Sequence, residues 1–317
     1  LVTQDDALRT SLLDGQRRRV GELSFEATTR ALREALSVRP KKASKPRRRR
    51  RVAFVVQRFG PQLTGGAEAH AREVALRLAA NADGEGLTTC AKDHLTWANE
   101  LPAGVEHDGA LTVHRFPVRR PRAMRPFNRL SDGLFGRPQD FVAETHWLAE
   151  QGPVSPQLLS AIAARRDEFD AFAFFTYLYA PTAWGVPLVA DKALVVPTAH
   201  DEPPLRFGAL RDVFEAPRVL LCNTPEEVRL IEAEFPRVVE RRVVGVGIEP
   251  LRGKPNRFRE QFGVDGPYVL YLGRMEAGKG VLDLVARHRA LVRDFHDAPT
   301  LVLMGSGEVS PRGHRVL

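Results

Sequence analysis

Cysteine is almost absent: Cys90 and Cys222 are the only two in 317 residues. Two thiols so far apart exclude a disulfide framework. Each sits in an apolar, strand-like stretch and reads as a small hydrophobe in a reducing compartment. No secretory signal opens the chain, which begins at Leu1 with a polar, helix-like stretch and is expected to be a piece of a longer polypeptide. Uninterrupted hydrophobic runs are also missing. The uncharged run 171–190 is about long enough to span a bilayer, but Pro181, Gly185 and Pro187 break it. A strand followed by a proline-started helix fits it better.

Charge of one sign is scarce outside one segment. Residues 1–51 hold 15 Lys/Arg against 6 Asp/Glu, a balance of +9; with +8 for the whole chain, the other 266 residues sum to −1. The basic excess is therefore a property of that segment and not of the folded body. Residues 1–38 read as two short helices, the first marked by Leu8, Leu12 and Leu13 and the second by Phe25, Leu32 and Leu36. The tract 39–50, with Arg51 beyond it, has no hydrophobic period and reads as a solvated linker. Such a tract can also meet nucleic acid or an anionic membrane surface. No aromatic residue interleaves with its arginines, so base stacking is not offered and nucleic acid is not expected as a partner.

What is present from Val52 onward is an alternation of strands and helices. Strand-type apolar runs occupy 52–56, 170–175, 193–197, 218–222, 268–272 and 300–304. Between the first two, Ala67, Ala71, Val74, Ala75 and Leu78 form a helical stripe. Ser155-Pro156 and Thr224-Pro225 each give an N-cap followed by proline at the first helical position. This pattern predicts an α/β fold: a doubly wound parallel sheet over 51–248 and a second, incomplete α/β domain over 249–317, with the crossing near 245–250.

In such sheets ligands bind at the carboxyl ends of the strands. Three of these ends carry unusual residues. After 52–56 comes Gly65-Gly66-Ala67-Glu68, where adjacent glycines at a helix N-terminus let backbone N–H groups approach an anion. After 193–197 comes His200-Asp201-Glu202 on a proline-stiffened loop. After 268–272 comes Gly273-Arg274, then Gly278-Lys279-Gly280. That last run has phosphate-loop spacing, but Gly280 stands where the hydroxyl residue that binds magnesium is required. What remains are two cations five residues apart on a glycine-rich turn, which suits a diphosphate.

Together these loops resemble the retaining glycosyltransferases of family 4, which have the GT-B fold of two facing α/β domains; Asn223-Thr224-Pro225-Glu226-Glu227 adds to the match. The resemblance implies a nucleotide-diphosphate sugar as donor and no metal or other cofactor. The acceptor would be a glycan, a lipid-linked sugar or a small molecule, and the setting cytoplasmic, with peripheral contact at the inner membrane face left open. Gly65 and Gly66 would face the donor phosphates, Arg274 and Lys279 would hold the diphosphate, and Gly305 would approach the nucleoside. His200 would act at the transferred sugar as the catalytic-site histidine. Residues 12–26 resemble the C-terminal helical tail of the same family, which implies two units in tandem. One departure is clear. Family members carry two glutamates with seven residues between them in the donor domain; Glu226 and Glu234 have that spacing but precede the domain, and the pair is expected beyond Leu317. A nucleotide-sugar epimerase or phosphorylase, and a non-catalytic sugar- or nucleotide-binding domain, are the alternatives. The arginines at 119, 120, 122 and 125 are expected to be a solvated loop or, failing that, contacts to an acidic or lipid-phosphate acceptor.

Overall fold

The computed structural model describes residues 6–22, 30, 34 and 48–307, apart from 64, 139, 238, 248–252, 276 and 306. The second expected N-terminal helix, most of the basic tract and part of the 245–250 crossing lie outside the described residues. The chain divides into a larger unit ending at Glu249 and a smaller one beginning at Pro250. No described helix is long and apolar enough to cross a membrane.

After helix α1 (Asp6–Glu22), the larger unit is built around eight strands: β1 (Arg50–Val55), β2 (Ala82–Thr89), β3 (Gly104–Asp108), β4 (Leu111–Phe116), β5 (Ala171–Phe175), β6 (Ala193–Val196), β7 (Val219–Cys222) and β8 (Glu240–Val243). They form one sheet in the order β3-β4-β2-β1-β5-β6-β7-β8, parallel except for the β3–β4 edge pair. Helices α2 (Gly66–Leu78), α3 (Met124–Leu134), α4 (Phe141–Gln151), α5 (Pro156–Ala164), α6 (Ala180–Gly185), α7 (Arg211–Glu215) and α8 (Pro225–Glu234) connect them. Successive residues of the central strands point to opposite faces. Val52 and Phe54 join a core with Ala71, Val74 and Leu78 of α2, while Ala53 and Val55 join one with Trp147, Leu158, Ile162 and Ile231. Burial on both faces explains why these strands read as continuous apolar runs. Each fully buried Phe, such as Phe54 or Phe174, contributes about 1.5–3 kcal/mol.

Three features differ from the sequence expectation. First, β2, β3 and β4 lie in stretches that showed no strand pattern. In β2 the sequence Ala-Asp-Gly-Glu-Gly-Leu-Thr-Thr hides the strand because Gly84 leaves room for its neighbours: a Cβ there would meet Leu111 Cδ2 at 2.8 Å and Phe54 at 3.2 Å. Second, the end of the basic tract is structured. Arg50 and Arg51 belong to β1, and Arg48, Arg49 and Arg51 are ion-paired to Asp170, Asp83, Glu85 and Glu168. Third, Arg122 is not a freely solvated side chain. It lies over the Trp97 and Phe127 rings and donates to the carbonyls of His94 and Leu95 and to the Gln151 side chain.

The smaller unit holds α9 (Pro255–Phe262), β9 (Tyr268–Leu272), α10 (Val281–Asp294) and β10 (Thr300–Met304), with β9 and β10 paired in parallel. Its two strand-end loops pack backbone to backbone. Gly273 N donates to Met304 O, and a Cβ on Gly305, whose φ is +152°, would lie 1.9 Å from Gly273 O. Gly305 is thus required by main-chain packing beneath the Arg274 loop. Gly305→Ala is expected to destabilise the smaller unit by at least ~2 kcal/mol in urea unfolding. A loss below ~0.5 kcal/mol would show that the loop yields freely.

Candidate functional site

The order of the large sheet places a switch at its centre. From β1 the chain winds outward through β2 and β4, then returns to β5 on the other side of β1 and winds the opposite way. The carboxyl ends of β1 and β5 therefore diverge into a crevice, the position where open α/β sheets bind ligands. Gln57 and the Gly65-Gly66 turn lie on one side of it and Thr176 on the other; the ends of β6 and β7 follow with Thr198 and Asn223.

The turn after β1 is built around a carboxylate. Glu68 bends back and accepts from Arg58 Nε at 2.8 Å, Arg58 Nη2 at 2.5 Å and Gln57 Nε2 at 3.0 Å, with all three residues buried. A Cβ on Gly65 would sit 1.9 Å from Glu68 Oε2, so only glycine admits this fold-back. Breaking such a pair by removing one partner costs ~3–5 kcal/mol. Gly66 is exposed, with open space where a Cβ would point, and leaves the N-terminus of α2 uncovered. Glu68 stands in the first turn of α2, at the positive end of the helix.

The loop after β6 is held from below. Thr224 caps α8 by accepting from Glu227 N at 3.1 Å. The buried Glu227 carboxylate accepts in turn from Asn223 N at 2.5 Å and from Ala199 N at 2.6 Å. Glu227, three residues after that cap, thus ties α8 to the His200 loop. Burial pushes the Glu227 pKa up, against the lowering effect of those N–H donors and of His200. Asp201 pairs with Arg206, and Glu202 accepts from the Tyr177 hydroxyl at 2.7 Å. His200 is exposed and stands beside a hollow of about 360 Å³ lined also by Thr198, Asn223, Thr224 and Glu227. Thr176 and Thr198 both have left-handed backbones, with φ of +69° and +52°. Such conformations cost ~1–3 kcal/mol each and concentrate at functional sites.

In the smaller unit, Gly273 and Arg274 follow β9, Lys279 closes a short 3₁₀ turn, and Gly280, at φ +71°, caps the start of α10. Arg274 and Lys279 are both exposed on this one strand-to-helix turn.

Of the residues singled out from sequence, Gly65, Gly66 and His200 share the carboxyl edge of the large sheet, while Arg274, Lys279 and Gly305 share that of the small one. Glu226 and Glu234 lie on α8 of the larger unit, paired with Arg229 and Arg206. Sequence reasoning gave no role to Gln57 or Thr176 and named Asn223 only within the motif that adds to the resemblance; each stands at the end of a central strand. Gln57 Oε1, Thr176 Oγ1, Asn223 Oδ1 and His70 Nε2 are buried polar atoms without a hydrogen-bond partner among the described residues.

No protein-family model and no curated protein matches the chain. Solved structures do. The α,α-trehalose-phosphate synthase (UDP-forming) of Burkholderia vietnamiensis aligns over 82% of this chain and 65% of its own, at 13% identity and a TM-score of 0.54. At that identity the likeness shows the fold alone. The fold is α/β, of the GT-B type. A trehalose 6-phosphate synthase of Burkholderia multivorans (11% identity, 81% of this chain, 63% of its own) and a sucrose-phosphate synthase of Thermosynechococcus elongatus (13%, 67% and 95%) align with TM-scores of 0.40. The chain spans about two thirds of the length of the trehalose-phosphate synthases.

His70, on α2 behind the Gly65-Gly66 turn, packs edge-on against Phe175 at 5.6 Å, and burial lowers its pKa from 6.5 to about 4. The unfolded chain therefore binds a proton between pH 6.5 and 4 that the folded chain refuses, so stability falls as pH drops through that window, by roughly 3 kcal/mol in full. Glu227 acts with the opposite sign: its pKa is raised, so its contribution is full at low pH and is lost as pH rises through the folded value. Urea unfolding at pH 6.5 and pH 4 is expected to show a smaller acid loss in His70→Leu than in the parent. Equal losses would contradict this.

Proposed function

We propose that this chain is the acceptor-side domain and the start of the donor-side domain of a glycosyltransferase. In this reading a sugar moves from a nucleotide-diphosphate donor to an acceptor hydroxyl, with the anomeric configuration retained as in the family 4 enzymes. The observation that carries it is the Gly273–Gly280 turn, which exposes a guanidinium and an ammonium on the one strand-to-helix turn between β9 and α10. A leaving diphosphate gains negative charge as the sugar–oxygen bond breaks. Fixed donors aimed at that charge contribute ~2–4 kcal/mol each in the transition state. Arg274 is suited to fork onto two phosphate oxygens and Lys279 to supply a mobile point charge.

On the acceptor side, the crevice at β1 and β5 supplies Gly66, an uncovered helix N-terminus and His200 on a braced loop. His200 positions the transferred sugar or the acceptor. The neighbouring structures include a synthase described as UDP-forming, which agrees with a nucleotide-sugar donor. The same reading takes residues 1–38 as the helical end of another transferase unit, with α1 covering most of the resembling stretch. It sets the protein in the cytoplasm, using a glycan, a lipid-linked sugar or a small molecule as acceptor and no metal.

The test is calorimetric titration of the chain with UDP-, GDP- and ADP-glucose. One of these is expected to bind, and Lys279→Ala to weaken it at least tenfold. A change within twofold would overturn the assignment of the turn to the diphosphate.

A further inference from the structure

A second hollow opens on the other flank of the switch, past the ends of β2 and β4. Its volume is about 210 Å³. A hollow of that size takes a single substituted ring. Trp97, Trp184, Arg119, Arg120, Arg122 and Glu150 line it.

Its walls are prepared. Trp97 is buried in a left-handed backbone conformation (φ +56°), donates its indole N–H to Gln151 O at 2.7 Å and meets Tyr179 edge-on. The Arg122 guanidinium stacks on Trp97, and its hydrogen bonds among the described residues all run to neutral acceptors: two loop carbonyls and the Gln151 backbone and side-chain oxygens. Its charge is therefore fixed in place without being neutralised by a bonded carboxylate. Arg120 pairs with Glu150. Arg119 is anchored through its backbone N–H to Val154 O, while its side chain is exposed. Three guanidiniums thus line the hollow against one carboxylate. Trp184, on α6, is half-buried and adds an apolar plate. An indole plate beside surplus guanidiniums recognises a ring that has an apolar face and bears an anion.

We infer that this hollow binds a monosaccharide-sized group carrying a carboxylate or a phosphate, as the acceptor subsite of the transferase proposed above, on which reading the acceptor role rests. Arg119 supplies the fork to the anion, and Trp184 stacks on the ring. Arg122 holds the shape of the wall and adds to the field.

Calorimetry of the full chain with glucuronate, glucose 6-phosphate, glucose and inorganic phosphate tests this. At least one anionic sugar is expected to bind tenfold or more tightly than glucose or phosphate; the preference between glucuronate and glucose 6-phosphate tells which anion the site takes. Arg119→Ala, at an exposed position, is expected to cost at least tenfold in that affinity. Equal binding of glucose, preferential binding of free phosphate, no binding of either anionic sugar, or an unaffected Arg119→Ala would each overturn the inference. Nucleotide-sugar binding is measured on the same Arg119→Ala protein. If it persists while the anionic sugars fail to bind the parent, the subsite alone falls. If the anionic sugars bind and no nucleotide sugar does, the transferase reading falls and the anion site stands.

Discussion

The parallel pairing of β1 with β5 is the constraint on which the larger unit depends. Val52 to Val55 lie against Ala171 to Phe174, buried on both faces, and the chain leaves this pair in opposite directions. No helix can cover the carboxyl ends of both strands at once, so a crevice is forced there. The Gly65-Gly66 turn and Thr176 line that crevice, with the His200 loop one strand further along, because of where those strands end.

The crevice is polar in a controlled way. A buried carboxylate, Glu68, is matched by Arg58 and Gln57, and that match dictates glycine at 65. A second buried carboxylate, Glu227, braces the His200 loop through two backbone N–H groups. In both cases a charge deep in the structure satisfies donors on a loop that would otherwise move. Preorganisation of that kind is what electrostatic catalysis requires, since the groups need not reorganise as charge develops. The left-handed backbones of Thr176 and Thr198 are strain held by the same supports.

Much of this architecture was legible in the residues. The central strands β1, β5, β6 and β7 announce themselves as apolar runs, and the caps at Ser155 and Thr224 mark two helix starts. The flank was not legible. β2 contains two glycines, which let Phe54, Leu111 and Val113 approach, and β3 is an edge strand with polar exposure. The loops most unusual in sequence proved to lie at strand ends, because glycine, histidine and clustered prolines are rare in strand interiors. The supporting shell escaped notice. Nothing in the local sequence says that Glu68 folds back onto Arg58 or that Thr176 takes a left-handed backbone. Those are consequences of neighbours 10 or more residues away in the chain, or of strands that meet only in the sheet.

Hydrogen–deuterium exchange with and without a bound nucleotide-diphosphate sugar tests the central claim most directly. The account predicts slowed exchange at 273–283, where β9 turns into α10. Slowing confined to other segments, or unchanged exchange at 273–283 under saturating ligand, would contradict it.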